Sequence, residues 1–218
     1  MTLNEKKNEK KQLSKKFWRE FENLLPWRRK GIITGDDFAT KLLSYLGPEK
    51  DLLEIGPGSG RILKSLKKLG GEYATYIGLD IGKFKIKFLK QTLEDSKHHF
   101  ILGDAEEFSF KQRFDLIFSS ATFKHFYPSF GQILQNLSTA MKSSSVLIVD
   151  FVEGKKILRY PPFTRFYTKD ELITIFDENG FRILKFDSVR HRGAPGKGLN
   201  LGGRRLLVVA MLKQEDSL

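Results

Sequence analysis

The stretch Asp51-Leu-Leu-Glu-Ile-Gly-Pro-Gly-Ser-Gly-Arg61 decides the fold of this chain. It reads as a short apolar strand that ends in an acid, Glu54, followed by a turn with glycine at every second position and then by a helical pattern. The three glycines are Gly56, Gly58 and Gly60. Because glycine has no Cβ, such a turn lets the backbone approach a bound molecule closely. The stretch therefore predicts a strand, a ligand-binding turn and a helix.

The spacing of the glycines excludes two common nucleotide-binding turns. A dinucleotide-binding fold has the pattern Gly-x-Gly-x-x-Gly, and counting from Gly56 and Gly58 the third glycine position falls on Arg61. A P-loop continues with Gly-Lys-Ser/Thr, which does not follow here, and Pro57 lacks one of the N–H groups that a phosphate cradle uses. The turn is predicted to bind its ligand without phosphate chemistry.

Length and composition are those of one soluble α/β domain, with 218 residues of which 40% are hydrophobic. No apolar run approaches the roughly 20 residues of a membrane span, and the N-terminus has no secretory apolar segment, so a cytoplasmic location is predicted. The absence of cysteine excludes disulfides, thiolate catalysis and cysteine-based zinc sites. No metal site is predicted, because His98 and His99 precede a strand without a second ligand cluster and are expected to face solvent.

The net charge of +12 is concentrated in two places. Residues 1–30 hold ten Lys or Arg against four acids, and the acid-free stretch 190–205 forms a second basic cluster. Basic clusters steer anionic partners such as nucleic acid, although neither shows a nucleic-acid-binding motif. We therefore favour solvated charge over nucleic-acid binding. Residues 1–35, a basic tail with an amphipathic helix over residues 13–25, are predicted to form a cap or lid.

The remaining pattern predicts βα units. Apolar strands alternate with helices as far as a helix that opens with a capping box at Thr168 and Glu171 and closes at Gly180, and a second box is predicted at Ser129 and Gln132. Short connections favour a parallel sheet. The last two strands, 181–189 and 205–212, have no room for a crossover helix and must be antiparallel. The predicted fold is a doubly wound, mostly parallel seven-stranded sheet that ends in an antiparallel β-hairpin, with helices on both faces.

Three acids lie at successive strand ends, where open α/β sheets bind ligands. They are Glu54, Asp80 and Asp104. Asp80 lies twenty residues after Gly60, where an acid accepts hydrogen bonds from both hydroxyls of a ribose, and Asp104 can accept from the exocyclic amine of a base. Three acids in line with the glycine turn predict a nucleoside ligand.

These residues resemble the class I S-adenosylmethionine-dependent methyltransferases over positions 36–212. The segment 54–60 is similar to the acidic-x-Gly-x-Gly-x-Gly turn of that family, and 103–105, 114–119 and the terminal hairpin stand at the expected later places. The resemblance implies that residues 36–218 form a domain that binds S-adenosylmethionine. The segments 163–172 and 178–181 also resemble the branch that acts mostly on small molecules.

The resemblance also implies a role for each residue of the cofactor site. Glu54 and the turn from Gly56 to Gly60 would hold the methionine moiety, and Asp80 would bind the ribose hydroxyls. Asp104 and Ala105 would contact adenine while Ile81 packs on its ring, and Ser119 would place its backbone near the methionine amino group. Methyl transfer from a sulfonium is an in-line displacement, for which no catalytic triad is needed.

The acceptor side is predicted from the residues after the fourth strand and from an aromatic segment further on. Phe123, Tyr160, Arg165 and Tyr167 are candidates for substrate binding. His125 is a candidate general base, since its ordinary pKa lies near neutrality. Aromatic side chains suit a flat acceptor and arginines an anionic group.

The function predicted from the sequence is methyl transfer to a small, aromatic or anionic acceptor. Two alternatives stay open. One is a methyltransferase acting on RNA or protein through the basic clusters, although the Asn/Asp-Pro-Pro-Tyr signature of amino-methyltransferases is replaced by Ser119-Ser-Ala-Thr-Phe. The other is a module that binds the nucleoside without catalysis. The acceptor atom and the oligomeric state are left open.

Overall fold

A computed structural model describes residues 2–20, 35–154, 163–189 and 205–214. Its first helix, α1, spans Leu3–Glu20, ten residues earlier than the start that its apolar pattern predicts. The lysine-rich segment before Leu13 therefore continues the helix. The predicted end of this helix, near Pro26, lies outside the described residues.

The remaining elements follow the predicted alternation. The helices are α2 (Asp36–Leu42, continued by a 3-10 turn at Leu43–Tyr45), α3 (Arg61–Lys68), α4 (Lys83–Leu93), α5 (Gly131–Thr139) and α6 (Lys169–Glu178), with a further 3-10 turn at Phe123–His125. The strands are β1 (Gly47–Ile55), β2 (Tyr73–Asp80), β3 (His98–Leu102), β4 (Phe114–Ser119), β5 (Met141–Val152), β6 (Phe181–Val189) and β7 (Arg205–Leu212).

The strands form a seven-stranded sheet in the order β3-β2-β1-β4-β5-β7-β6. Strands β1 to β5 pair in parallel, and β7 pairs antiparallel with both β5 and β6. The fold and its terminal hairpin are therefore confirmed. Successive strands are added in one direction from β1 to β3 and in the opposite direction from β4 onward, so the strand order reverses between β1 and β4. Open α/β sheets bind ligands in the crevice at such a reversal.

The core lies in two layers, one on each face of the sheet, because successive side chains of a strand point to opposite faces. Leu52 packs with α2, α3 and α4 on one face, whereas Leu53 packs with α5 and α6 on the other. Helices on both faces are therefore confirmed. Among the described helices, none combines the length and apolar character needed to cross a bilayer.

Two local predictions can be compared with the structure. The capping box at Thr168 is confirmed: its Oγ1 accepts from the Glu171 N–H at 3.2 Å, and the Glu171 carboxylate accepts from the Thr168 N–H at 2.9 Å. The box at Ser129 is wrong, because α5 begins after Phe130 without a side-chain cap. Ser129 instead accepts a 3.4 Å hydrogen bond from the Gly131 N–H.

Candidate functional site

The three glycines of the turn after β1 are needed for different reasons. All three have positive φ angles, +71° at Gly56, +59° at Gly58 and +73° at Gly60, a region that favours glycine. A Cβ at Gly56 would collide with the Thr122 side chain, and one at Gly60 with Leu93. A Cβ at Gly58 would meet no atom of the described residues within 4 Å. Gly58 is therefore the glycine of the turn that faces open space.

Asp80 ties the end of β2 to this turn. One carboxylate oxygen accepts from the Gly82 N–H at 2.8 Å, and the other accepts from the Gly58 N–H at 3.2 Å. Lys85 lies 3.6 Å from the first oxygen as an ion-pair partner. A carboxylate has about four acceptor positions, so Asp80 retains capacity for a further donor such as a ribose hydroxyl.

Glu54 lies one residue before the end of β1 and is 1% exposed. Its carboxylate accepts a 2.5 Å hydrogen bond from the Tyr76 hydroxyl. Burial raises the pKa of Glu54 to about 7, although the Tyr76 hydrogen bond and the nearby Arg61 charge oppose the shift. A cation placed beside Glu54 would favour its ionised form.

Asp104, beyond β3, is covered by the N-terminal helix. The Lys15 ammonium lies 2.7 Å from its carboxylate and also pairs with Glu106 at 3.0 Å and Glu107 at 2.8 Å. These three carboxylates raise the pKa of Lys15 despite its burial, which opposes the shift. Arg19 adds a contact of 3.4 Å to Asp104. Helix α1 is therefore anchored where the resemblance expects adenine.

Helix α1 also reaches the neighbouring parts of this edge. The Trp18 ring packs 4.8 Å from the His125 ring, centroid to centroid, and the Lys85 ammonium lies 4.5 Å from the Trp18 ring centroid. Lys11 donates to the Gln132 side chain at 2.8 Å. The helix thus crosses the carboxyl ends of the strands from the start of α4 to the start of α5.

The other residues expected to contact the cofactor lie at the same edge. Ile81 directly follows Asp80 and is half-buried. Ala105 is buried beside the Asp104 loop, and its carbonyl accepts from Asn136 at 2.8 Å. The Ser119 hydroxyl donates to the Ile55 carbonyl at 2.6 Å and so joins the ends of β4 and β1. The structure therefore brings all the predicted cofactor residues to one edge, while their individual roles stay predictions.

His125 lies in the 3-10 turn after β4, under the N-terminal helix. One ring nitrogen, Nδ1, shares a 3.1 Å hydrogen bond with the Thr164 hydroxyl. Burial, reinforced by the charge of Lys124, holds the pKa of His125 well below its usual range. The imidazole is therefore neutral at pH 7. Its assignment as a base stays a prediction.

Three of the four predicted substrate residues lie in the described part of the chain. Phe123 and Tyr167 are buried in the core, where both pack against Phe130 and Phe151. The Arg165 guanidinium donates to Glu171 at 2.9 Å and to the Pro128 carbonyl at 2.9 Å, so it already has two acceptors. Tyr160 lies outside the described residues. Core packing therefore explains the positions of Phe123 and Tyr167 without a bound methyl acceptor.

His98 corrects an expectation about solvent exposure. It is 5% exposed and lies between Asp95, which approaches Nδ1 at 2.6 Å, and the Tyr73 hydroxyl, 2.9 Å from Nε2. Its neighbour on the strand, His99, is exposed as expected. Within the described ranges, no group of three or more metal-binding side chains occurs.

Comparison with known proteins identifies the family. Residues 46–184 match a family model described as a methyltransferase domain, which is more than half of the chain. The chain belongs to the methyltransferase domain family. This match confirms the enzyme class and, at the level of the family, the donor S-adenosylmethionine that the resemblance implies.

Curated relatives of this methyltransferase domain are malonyl-acyl-carrier-protein O-methyltransferases. The protein from Acetivibrio thermocellus is 26% identical over 159 residues, which is 64% of this chain and 56% of that protein. The one from Calditerrivibrio nitroreducens is 33% identical over 132 residues, 58% of this chain and 50% of that protein. The chain spans about half the length of the curated relatives it matches.

Solved structures share the fold. The glycopeptide N-methyltransferase MtfA, complexed with S-adenosylmethionine, superposes with a TM-score of 0.66 at 14% identity, covering 83% of this chain and 95% of that chain. A methyltransferase from Methanosarcina mazei gives a TM-score of 0.62 at 18% identity, covering 79% of this chain and 96% of its own. Identities this low support the architecture alone.

Several charged residues near the candidate site were missed from the sequence. Lys15 was counted within a basic tail, yet it pairs with three acids from the loop after β3. Asp150 and Arg205 form a buried ion pair of 2.7 Å between β5 and β7. An acid within the apolar run Val146–Val152 and an arginine at the start of another apolar strand were signals for this pair, because buried charges need partners.

The residues at this edge fit S-adenosylmethionine. Among the residues that the structure describes, no side chain lies within 4 Å of a Cβ built at Gly58, so a ligand can approach this backbone closely. Asp80 retains acceptor capacity for hydroxyl groups, and the buried Glu54 favours a positively charged neighbour. A cofactor with ribose hydroxyls, an amino group and a sulfonium matches these three preferences.

Proposed function

We propose that this domain transfers a methyl group from S-adenosylmethionine to a small acceptor that is aromatic or anionic. The observation that carries the proposal is the shared edge at which the Asp80 carboxylate accepts a hydrogen bond from the Gly58 N–H and Asp104 lies in the next loop. Open α/β sheets bind ligands at this edge, and the family supplies the donor. A cytoplasmic location belongs to the same proposal.

The chain's own residues have to bind and orient rather than activate. When bound, the cofactor supplies a methyl group on a sulfonium, which is already prepared for in-line displacement. Asp80 accepts hydrogen bonds from the ribose hydroxyls, and the carboxylate of Glu54 attracts the methionine amino group. Holding the acceptor atom about 3 Å from the methyl carbon then lowers the barrier by proximity.

The N-terminal helix acts as the cap of this site in the proposal. Its Lys15, Arg19 and Trp18 lie over the loop after β3 and the start of α4, where adenosine would be held. A cap over this edge excludes water from the reaction. Because Lys15 and Asp104 pair in this structure, adenine binding requires Asp104 to share or exchange that partner.

An anionic acceptor is favoured by two observations. The named substrates of the curated relatives carry a carboxylate, and the edge beside the glycine turn holds Arg61, Lys124 and Arg205. A carboxylate is already ionised at neutral pH and needs no general base. The neutral His125 would be needed as a base only for an acceptor that carries a proton on the attacking atom.

The alternative acceptors, RNA or protein, receive less support from the charge distribution. Lys11 and Lys15, from the basic N-terminal segment, form ion pairs with Glu106, and Arg205 pairs with Asp150. These cations are engaged within the domain. Residues 190–204, with the rest of the second basic cluster, lie outside the described residues.

Binding and turnover should be tested separately. Calorimetry with S-adenosylhomocysteine should show binding that falls by about tenfold or more in Asp80→Asn, because charge-assisted hydrogen bonds are weakened. Consumption of the methyl donor is then measured with small carboxylates, phenols, a malonyl thioester and RNA. Absence of binding would overturn the proposal. Binding without turnover of any acceptor would favour the non-catalytic module, and salt-resistant RNA methylation would favour the RNA enzyme.

A further inference from the structure

Tyr76 lies in the middle of β2 and is fully buried. Its hydroxyl donates a 2.5 Å hydrogen bond to the Glu54 carboxylate of the neighbouring strand β1. In the parallel register Tyr76 is opposite Leu52. Its side chain therefore reaches two residues along the sheet, toward the edge where the strands end, and joins the core to the candidate cofactor site.

The surroundings of Glu54 leave its carboxylate dependent on this hydroxyl. The residues directly opposite Glu54 are Gly78 on β2 and Phe118 on β4, and neither has a side chain that can donate a hydrogen bond. A Cβ at Gly78 would meet Phe100 at 2.9 Å. Among the residues that the structure describes, Tyr76 is the one whose side chain donates a hydrogen bond to the Glu54 carboxylate.

The Tyr76 ring is held in place by other rings. Its centroid lies 5.9 Å from that of Phe100, 6.4 Å from that of Phe118 and 6.0 Å from that of His98. The His98 ring is itself held by hydrogen bonds at both nitrogens. A donor that packing has already fixed loses little conformational entropy when it bonds, so it can impose one orientation on a carboxylate.

The hydrogen bond from Tyr76 also influences the charge of Glu54 without occupying it. A carboxylate has about four acceptor positions, and Tyr76 fills one of them. The charged groups that face Glu54 are Arg61, at the start of α3, and Asp80, at the end of β2. Burial and the Asp80 charge raise the pKa of Glu54, whereas the Tyr76 hydrogen bond and the Arg61 charge lower it, and the result is about 7. Loss of the hydrogen bond would therefore favour the neutral acid.

We infer that Tyr76 is a positioning residue of the cofactor site, which orients the Glu54 carboxylate toward the amino group of the methionine moiety. The inference rests on the proposed function for the role of Glu54, and it adds a residue of a second strand to that role. Because Tyr76 is fully buried, it acts through Glu54 rather than by touching the cofactor.

The test compares Tyr76→Phe with wild type in titration calorimetry. S-adenosylhomocysteine carries the amino group, whereas its desamino analogue keeps the adenosine, the sulfur and the carboxylate. Tyr76→Phe should lower the affinity for S-adenosylhomocysteine by about tenfold at pH 7 and leave the affinity for the desamino analogue unchanged. The reason is that only the first ligand needs an ionised and oriented Glu54.

The dependence of binding on pH separates positioning from packing. In wild type the affinity for S-adenosylhomocysteine should rise between about pH 6 and 8, because Glu54 ionises in this range. In Tyr76→Phe the midpoint of this rise should move to higher pH. The affinity for the desamino analogue should show no such rise in either protein. A loss of equal size at every pH would assign the effect to packing and overturn the inference.

Tyr73→Phe is the matched control. Tyr73 lies in the same strand, is 3% exposed, and its hydroxyl is 2.9 Å from His98 Nε2. Its replacement removes a similar buried hydrogen bond away from Glu54 and should leave both affinities unchanged. In a Glu54→Gln background, Tyr76→Phe should cause little further loss of affinity for S-adenosylhomocysteine, since the effects of two residues that act as a unit do not add.

A second measurement uses the unaltered protein and does not depend on the folding of a variant. In wild type with tyrosine labelled at Cζ, the NMR signal of Tyr76 should shift as Glu54 ionises near pH 7. At pH 7 it should also shift when S-adenosylhomocysteine binds, and respond less to the desamino analogue. A Tyr76 signal that responds to neither change would overturn the inference.

The outcomes are distinguishable from those of the proposed function. If Tyr76→Phe binds S-adenosylhomocysteine as wild type does, the positioning role is overturned and the proposed function stands. An equal loss for both ligands, or an equal loss in Tyr73→Phe, assigns the effect to the fold and also overturns the role. If wild type binds neither ligand, the proposed function fails and the positioning role fails with it.

Discussion

Replacement of Gly58 by alanine separates a requirement of the ligand from a requirement of the fold. Gly58 has a φ of +59°, and a Cβ there meets nothing within 4 Å in the described part of the chain. Gly70, in the connection from α3 to β2 at the opposite edge, has a φ of +69°, and a Cβ there likewise meets no described atom within 4 Å. Each substitution therefore carries the same left-handed strain of about 1–2 kcal/mol, which lowers Tm by roughly 2–8 °C in a domain of this size.

The two variants should differ only in their affinity for the cofactor. If the cofactor lies against Gly58, an added methyl group overlaps it at a cost of about 1–3 kcal/mol, which is roughly 5- to 150-fold in the dissociation constant of S-adenosylhomocysteine. Calorimetry at a temperature well below both transitions measures this constant, and Gly70→Ala is the control. Unchanged affinity in Gly58→Ala would refute the assignment of the turn. An equal loss in both variants would attribute the effect to strain.

Three further predictions concern the cap, a buried acid and a helix end. Lys15→Met should increase the rate of amide hydrogen exchange over residues 3–20 by about tenfold or more, because the charge-assisted contact with Asp104 is lost. Lys16→Met, at an exposed position of the same helix, should leave this rate unchanged. Equal rates in the two variants would contradict the anchoring role of Lys15. Burial raises the pKa of Glu54 to about 7, so between pH 4.5 and 7 the folded protein keeps a proton that the unfolded chain releases. As the pH rises through this range, the free energy of unfolding of wild type, measured by urea melts, should therefore fall relative to that of Glu54→Gln, by up to about 1.4 kcal/mol per pH unit. Parallel plots of unfolding free energy against pH for the two proteins would refute the shift. Thr168→Ala removes the capping box of α6 and should lower the free energy of unfolding by about 1 kcal/mol, which is roughly 2–4 °C in Tm. Thr174→Ala, on the exposed side of the same helix, should lower Tm by less. Equal decreases in Tm would show that the capping box is not the cause.

Prediction from sequence succeeded where a short pattern carries the structural cause. The hairpin of β6 and β7 agrees with its predicted bounds, because a connection too short for a crossover helix leaves only antiparallel pairing. The capping box at Thr168 agrees because its two hydrogen bonds are local. The prediction of a capping box at Ser129 was wrong although its pattern is equally local. Phe130, not Ser129, occupies the N-cap position of α5, and its side chain is packed in the core.

The position of the candidate cofactor residues at one sheet edge could be predicted from the sequence, whereas the surroundings of the candidate substrate residues could not. Glu54, Asp80 and Asp104 lie at strand ends, and strand ends meet at one edge of a parallel sheet, so their proximity follows from order along the chain. Phe123 and Tyr167 also follow strands or precede a helix, but their burial depends on which rings of other elements reach them. That information is not present in local sequence.

By itself the sequence determined the α/β class, the glycine turn, the strand-end acids and the terminal hairpin, because each depends on periodicity, backbone freedom or connection length. Only the tertiary structure decided which charges find partners. Lys15 is separated from Asp104 by 89 positions in sequence and Asp150 from Arg205 by 55, yet both pairs are in contact. Whether a buried charge is satisfied depends on distances in three dimensions, and the fold alone sets those distances.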